Sequence, residues 1–158
     1  CPSKSLTRIY IVDETSAASL YSQTLLKVIL PSITKSFTIS ILNLVDNLPM
    51  KNSTRIIANQ LGKSGSSVGA NYRASLRARS DNEFLSKINI VLEETDESHF
   101  WLEVLQELNV VDQKVLNELL NEANELTAIF VTTLKNTKSR IKFNSEYVMY
   151  VELLEVSG

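Results

Sequence analysis

Residues 62–80 read Gly62-Lys63-Ser64-Gly65-Ser66-Ser67-Val68-Gly69-Ala70-Asn71-Tyr72-Arg73-Ala74-Ser75-Leu76-Arg77-Ala78-Arg79-Ser80. Three of the chain's four glycines fall in the first eight of these positions, a composition typical of loops. The spacing nevertheless predicts a helix. At about 100° per residue from Arg55, the residues Ile57, Leu61, Ser64, Val68, Asn71, Tyr72 and Ser75 share an arc of roughly 160–260°. Lys51, Arg55, Lys63, Arg73 and Arg77 occupy the opposite arc, roughly −40° to 80°. Gly62, Gly65 and Gly69 form one flank at about 280–340°. Each glycine costs roughly 1 kcal/mol against alanine inside a helix. Close approach of a second helix along the bare flank is the natural compensation.

Outward from this stretch the same rhythm continues. Phe37, Ile41, Leu44, Val45 and Leu48 recur at helical spacing from Ser32, and Pro49 ends that helix. Asn52 or Ser53 is the expected cap of the central helix, which should run to about Arg79. Ser80 with Glu83 three residues on fits a capping box. The third helix then carries Phe84, Ile88, Val91, Leu92, Thr95, Ser98, Leu102 and Leu105 on one side. A turn at Asn109–Asp112 leads, with Asp112 as cap, into a fourth helix bearing Leu116, Leu119, Leu120, Ala123, Thr127, Phe130 and Leu134 inward.

No Gly or Pro occurs between Ala70 and Ser157, which argues against a β-rich region needing turns. Short polar connections make successive helices antiparallel neighbours. The expected fold is therefore all-α, an antiparallel up-down four-helix bundle with an extra N-terminal arm and a short C-terminal tail. The arm is residues 1–33, the bundle 34–140 and the tail 141–158. Within the arm, Leu6–Val12 has strand-like composition and Ala17–Leu30 fits a short helix ending before Pro31. The tail Phe143–Val156 mixes β-like residues with a Ser145-Glu146 cap signal, and is read as helix.

At 158 residues the chain suits one domain with a real core. Net charge is −2, but it is unevenly placed. Residues 50–90 carry seven Lys/Arg against two acids, while 91–126 carry one Lys against ten acids. Pairing between neighbouring helices is the simplest reading of that polarity. The single cysteine, Cys1, excludes an internal disulfide. The sequence reading finds no apolar run of membrane-spanning length and no signal peptide, so the default expectation is a cytoplasmic protein without a membrane partner.

Candidate chemistry is sparse. Gly62-Lys63-Ser64 resembles the end of a phosphate loop, but that motif needs glycine where Ile57 stands, and a preceding strand. His99 is the only histidine, and Asp96 three residues before it is a near miss to the Glu-x-x-His of di-iron bundles. Glu93, Glu94, Asp96 and Glu97 read as a solvated face, and helix four offers Glu118, Glu122 and Glu125 without a histidine. No metal and no cofactor is expected. Ser64, Ser67 and Asn71 lack a histidine to activate them. They read as a polar core network that fixes helix register. On helix three, Ile90, Trp101 and Leu108 form a second apolar stripe away from the inner face, a candidate oligomer interface.

Ser-Gly-Ser-Ser-Val-Gly-Ala-Asn-Tyr-Arg-Ala-Ser-Leu-Arg-Ala-Arg-Ser at 64–80 resembles the signature of the bacterial four helix bundle proteins, also called 23S rRNA intervening-sequence proteins. The helix from Glu83 to Leu105, with Trp101-Leu102, and the stretch Asn117–Leu126 extend the resemblance, which covers roughly 34–140. It implies an antiparallel four-helix bundle, a homopentamer, and no enzymatic activity. A distant relative, the accessory variability determinant protein of diversity-generating retroelements, is similar in fold and binds nucleic acid and a reverse transcriptase through a basic surface.

The expected function is that of a non-enzymatic, oligomeric, nucleic-acid-associated accessory protein. Lys51, Arg55, Lys63, Arg73 and Arg77 would contact RNA or DNA. The alternative is an oligomeric scaffold for a protein partner, such as a reverse transcriptase, with no direct nucleic-acid contact.

Overall fold

Apolar residues at three- and four-residue spacing produce four helices: α1 (Ser16–Asp46), α2 (Asn52–Ser75), α3 (Asp81–Leu108) and α4 (Gln113–Val156). The computed structural model describes residues 16–156, with side chains described for 27–149 and for Thr24. Among the described residues there is no strand. Cys1 and the strand-like segment Leu6–Val12 lie outside them.

The helix expected to stop before Pro31 instead continues through it, so α1 begins at Ser16 rather than Ser32. An internal proline costs about 3 kcal/mol through its lost N–H and ring clash. Here Leu30, Thr34, Phe37, Ile41 and Leu44 are all buried along one face. Each large apolar side chain buried returns about 1.5–3 kcal/mol, which offsets the proline. The hydroxyl of Thr34 donates to the Pro31 carbonyl at 3.2 Å. Between Lys27 and Asp46, α1 has a mean hydropathy of 1.5 and is, by length and composition, apolar enough to cross a membrane. The sequence reading missed this because Ser and Thr interrupt the apolar run without lowering its average much. In the bundle the same segment places Phe37, Ile41 and Leu44 in the core.

The second helix starts at Asn52 with Lys51 as its cap, not Asn52 or Ser53. Thr54 does the capping work: its hydroxyl accepts the Lys51 N–H at 3.1 Å and donates to the Pro49 carbonyl. The helix ends at Ser75, short of Arg79. Ser80 caps α3 as expected, accepting the Glu83 N–H at 3.1 Å, while the Glu83 carboxylate accepts the Arg79 N–H at 2.9 Å. Asn109 closes α3 in the left-handed region, at φ 50°. Asp112 opens α4 by accepting the Lys114 N–H at 2.8 Å.

The register is antiparallel throughout. Gly65 faces Ile41 while Gly69 faces Thr38 and Thr34, which pairs α2 with α1. Gln106 bonds Asn117 and Asp81 bonds Arg140, which pairs α3 with α4. Tyr72 and Phe130 meet across the core with ring centroids 5.8 Å apart. Phe37, Ile41, Leu61, Val68, Ile88, Leu102, Leu116 and Phe130 are sealed from solvent. The α1–α4 seam is much looser than the other three.

Helix α4 has 44 residues, about 66 Å, against about 36 Å for the 24 residues of α2. Its tail is therefore a continuous helical overhang beyond Arg140. In the same register, the first part of α1 projects past the end of α2. Both overhangs leave the bundle at the α2–α3 turn, residues 76–80.

Candidate nucleic-acid interface

The glycine flank places the rest of the site. A Cβ on Gly65 would sit 2.5 Å from Ile41 Cγ2, and one on Gly69 would sit 2.7 Å from Thr38 Oγ1. The Thr38 hydroxyl donates to the Gly65 carbonyl at 2.8 Å. Helix α2 is thus pressed against α1 on that side, and its basic arc faces outward. Gly62 is different, since its nearest neighbour is Val45 at 4.0 Å.

Lys51, Arg55, Lys63, Arg73 and Arg77 are all exposed. The ion pairs among the described residues are Lys87–Glu83, Arg140–Asp81 and Lys142–Glu146. None involves the arc. Lys63 lies close enough to Glu94 to oppose the upward push on its carboxyl, which burial and then Glu97 and Glu93 hold above the ordinary carboxylate range. Only Arg55, Lys63 and Arg73 lie within α2, about 36 Å long, because the helix starts after its cap Lys51 and ends at Ser75, which leaves Arg77 in the α2–α3 turn. The arc is a line of charge with Lys51 and Arg55 at one end and Arg73 and Arg77 at the other.

Further exposed cations lie outside the arc. Arg79 stands in the α2–α3 turn, and Lys135, Lys138, Arg140 and Lys142 lie on α4. The Arg140–Asp81 bond, 2.7 Å long, fixes α4 beside that turn. Their signal was visible as four cations in eight residues without an acid. Glu146, Glu152 and Glu155 masked it in the regional sum.

Of the polar trio, Ser64 alone reaches another helix. Its hydroxyl meets that of Ser98 at 2.9 Å, and both groups are buried. Ser98 also bonds the Glu94 carbonyl at 2.8 Å. Asn71 is half-buried and donates to the Ser67 carbonyl, one turn back, at 3.0 Å. Ser67 is half-buried too.

On α3, Ile90 and Leu108 are 40% and 46% exposed, whereas Trp101 is half-buried. The Trp101 ring stands edge-on to Phe100 at 5.0 Å, and its Nε1 donates to Glu97 at 3.4 Å. Phe100 and, from α2, Ile56 are exposed as well. His99 Nδ1 lies 3.7 Å from the Glu103 carboxylate. Among the described residues, no three His, Cys, Asp or Glu side chains converge to hold a metal. In the loose α1–α4 seam, a cavity of about 450 Å³ is lined by Ser40, Asn43, Asn47, Val115, Glu118 and Glu122, among others. Burial, and then the charge of Glu125, raise the Glu122 carboxyl above its ordinary range.

With this geometry in place, comparison with known proteins settles the family. The model of the 23S rRNA-intervening sequence proteins matches residues 29–132, two thirds of the chain. The chain belongs to that family. A solved structure from Bacteroides thetaiotaomicron, described as a protein of unknown function from the S23 ribosomal protein family, is similar at 28% identity with a TM-score of 0.63. The alignment covers 66% of this chain and 97% of that one. No curated protein matches. The α4 overhang, and α1 before residue 29, lie outside the segment matched by the 23S rRNA-intervening sequence protein model.

Proposed function

We propose that this member of the family acts by binding rather than catalysis, as an oligomeric cytoplasmic accessory protein that contacts RNA or DNA through the outer face of α2. The observation carrying this reading is that Lys51, Arg55, Lys63, Arg73 and Arg77 are exposed and take part in no ion pair. Unpaired guanidinium groups can grip phosphates bidentately, and counterion release then drives binding. The family resemblance supports a homopentamer, in which the line of charge would be repeated five times and weak contacts would add by multivalency. A double Arg73→Glu, Arg77→Glu variant tests the reading. It should keep its fold and assembly state while losing affinity for both RNA and DNA. Unchanged affinity would remove α2 from the interface.

A second reading rests on Ile90, Phe100 and Leu108, which leave an apolar surface open on α3. In a closed ring that surface meets a different face of the next subunit. If the protein binds no nucleic acid, the same surface suits a scaffold for a protein partner such as a reverse transcriptase.

A further inference from the structure

The α4 overhang past Arg140 is an amphipathic helix whose apolar side is open to solvent. At about 100° per residue, Ile141, Phe143, Tyr147 and Val148 fall within one arc of roughly 160°. Positions 150, 151 and 154, which are Tyr, Val and Leu, continue that arc in the sequence. Lys142 and Glu146, paired at 3.7 Å, occupy the opposite side. Phe143 is 69% exposed, Tyr147 62% and Val148 54%. Every side chain from 142 to 149 is exposed. Helix α2 ends at Ser75, and α3 begins at Asp81, which Arg140 bonds, so neither neighbour reaches this arc. A helix in water draws most of its stability from burying such a face.

We propose that the overhang is an interface with a second copy of this chain, in which two α4 tails pair antiparallel about a two-fold axis through their apolar arcs. The area fits that partner. With a whole aromatic side chain taken as roughly 150–250 Å², Phe143, Tyr147 and Val148 alone leave about 400 Å² open. The apolar positions 150, 151 and 154 bring the arc to the order of 800 Å², which is what each partner gives to a stable dimer. The charge along α4 fits as well. Residues 135–142 carry four cations and no acid, whereas 146–155 carry three acids and no cation. Antiparallel tails set each acidic tip toward the partner's basic base, while parallel tails would oppose like charges. From 141 to 156 there is one cation, Lys142, against Glu146, Glu152 and Glu155. That net negative charge opposes docking on an anionic membrane or a nucleic acid. The contact is separate from the apolar stripe on α3 and does not depend on the nucleic-acid reading. Being isologous, it closes on itself and joins two bundles end to end.

The test is light scattering of the full chain at micromolar concentration. Phe143→Glu with Tyr147→Glu changes two exposed side chains, so the bundle keeps its fold, and the mass of the parent assembly should halve. In a Trp101→Glu background, which removes the α3 contact, the protein should run at twice the chain mass of 17.7 kDa. Adding the two tail substitutions there should bring it down to a single chain. A mass that the tail substitutions leave unchanged overturns the proposal, and the parent comparison decides this even where Trp101→Glu fails to fold. If that unchanged mass comes with a lower Tm, the arc packs on its own chain instead. A parent that pellets with phosphatidylcholine–phosphatidylglycerol vesicles, while the tail variant does not, assigns the arc to a membrane surface and also overturns it. Orientation is read by oxidising a Cys1→Ser, Glu155→Cys chain, which should leave the tips unlinked. A tip-to-tip disulfide would show parallel tails and overturn the antiparallel pair.

Discussion

Ile41 occupies the space that a side chain on Gly65 would need: a Cβ built there lies 2.5 Å from Ile41 Cγ2 and 2.9 Å from Ile41 Cβ. The helix cost of that glycine is therefore the condition for α1–α2 contact. Gly65→Ala should destabilise by roughly 1–3 kcal/mol through overpacking. Gly62→Ala meets only Val45 at 4.0 Å and should stabilise by about 1 kcal/mol. Thermal melts check both. A rise in Tm for the Gly65 variant would refute the close-contact account.

The hydrogen bond between Ser64 and Ser98 joins α2 to α3 inside an otherwise apolar layer. Ser98→Ala should cost about 1 kcal/mol, because Ser64 keeps only a long contact to the Leu61 carbonyl at 3.4 Å. Removing both hydroxyls should cost less than the two single changes added together. Strict additivity in a denaturant-unfolding cycle would show that the pair sets no register.

Glu122 gives stability a pH dependence of known sign. Burial, and then the charge of Glu125, hold its folded carboxyl above the ordinary carboxylate value of 4.5. The folded state therefore holds that proton more tightly than the unfolded chain, and stability is lost as pH rises from 4.5 through the folded value. Glu122→Gln should melt higher than the parent at pH 7, and the two should converge below pH 4.5. A gain that persists at the acid end would mean that packing, not charge, is responsible.

Assembly is checked by light scattering. Trp101→Glu puts a charge into a half-buried ring position between exposed Ile90 and Leu108. The expected outcome is dissociation of an oligomer that is present in the parent at micromolar concentration. A monomeric parent contradicts the assembly, and an intact variant contradicts the role of this stripe.

Much of the fold was legible in the 3–4 spacing. Ile57, Leu61, Val68 and Tyr72 are all buried as their arc predicts. The Ser80 and Asp112 caps were readable too, because a cap is local chemistry. Pro31 misled because the proline rule is local, whereas the burial of Leu30 and Phe37 that overrides it is tertiary. Asn71 misled in another way. Its helical angle borders the core, but angle alone cannot tell a cross-helix partner from the carbonyl of Ser67 one turn back. The candidate site was only half legible. The arc on α2 follows from periodicity, but the bond of Arg140 to Asp81 depends on how far α4 extends past the start of α3.

The most direct test of the central claim is a salt series of binding to mixed RNA and DNA by the unmodified protein. The account predicts measurable binding at about 50 mM salt that falls on the order of tenfold or more by about 200 mM, with the log–log slope reduced in the Arg73→Glu, Arg77→Glu variant. No binding at the lowest salt, or binding indifferent to salt, would contradict it.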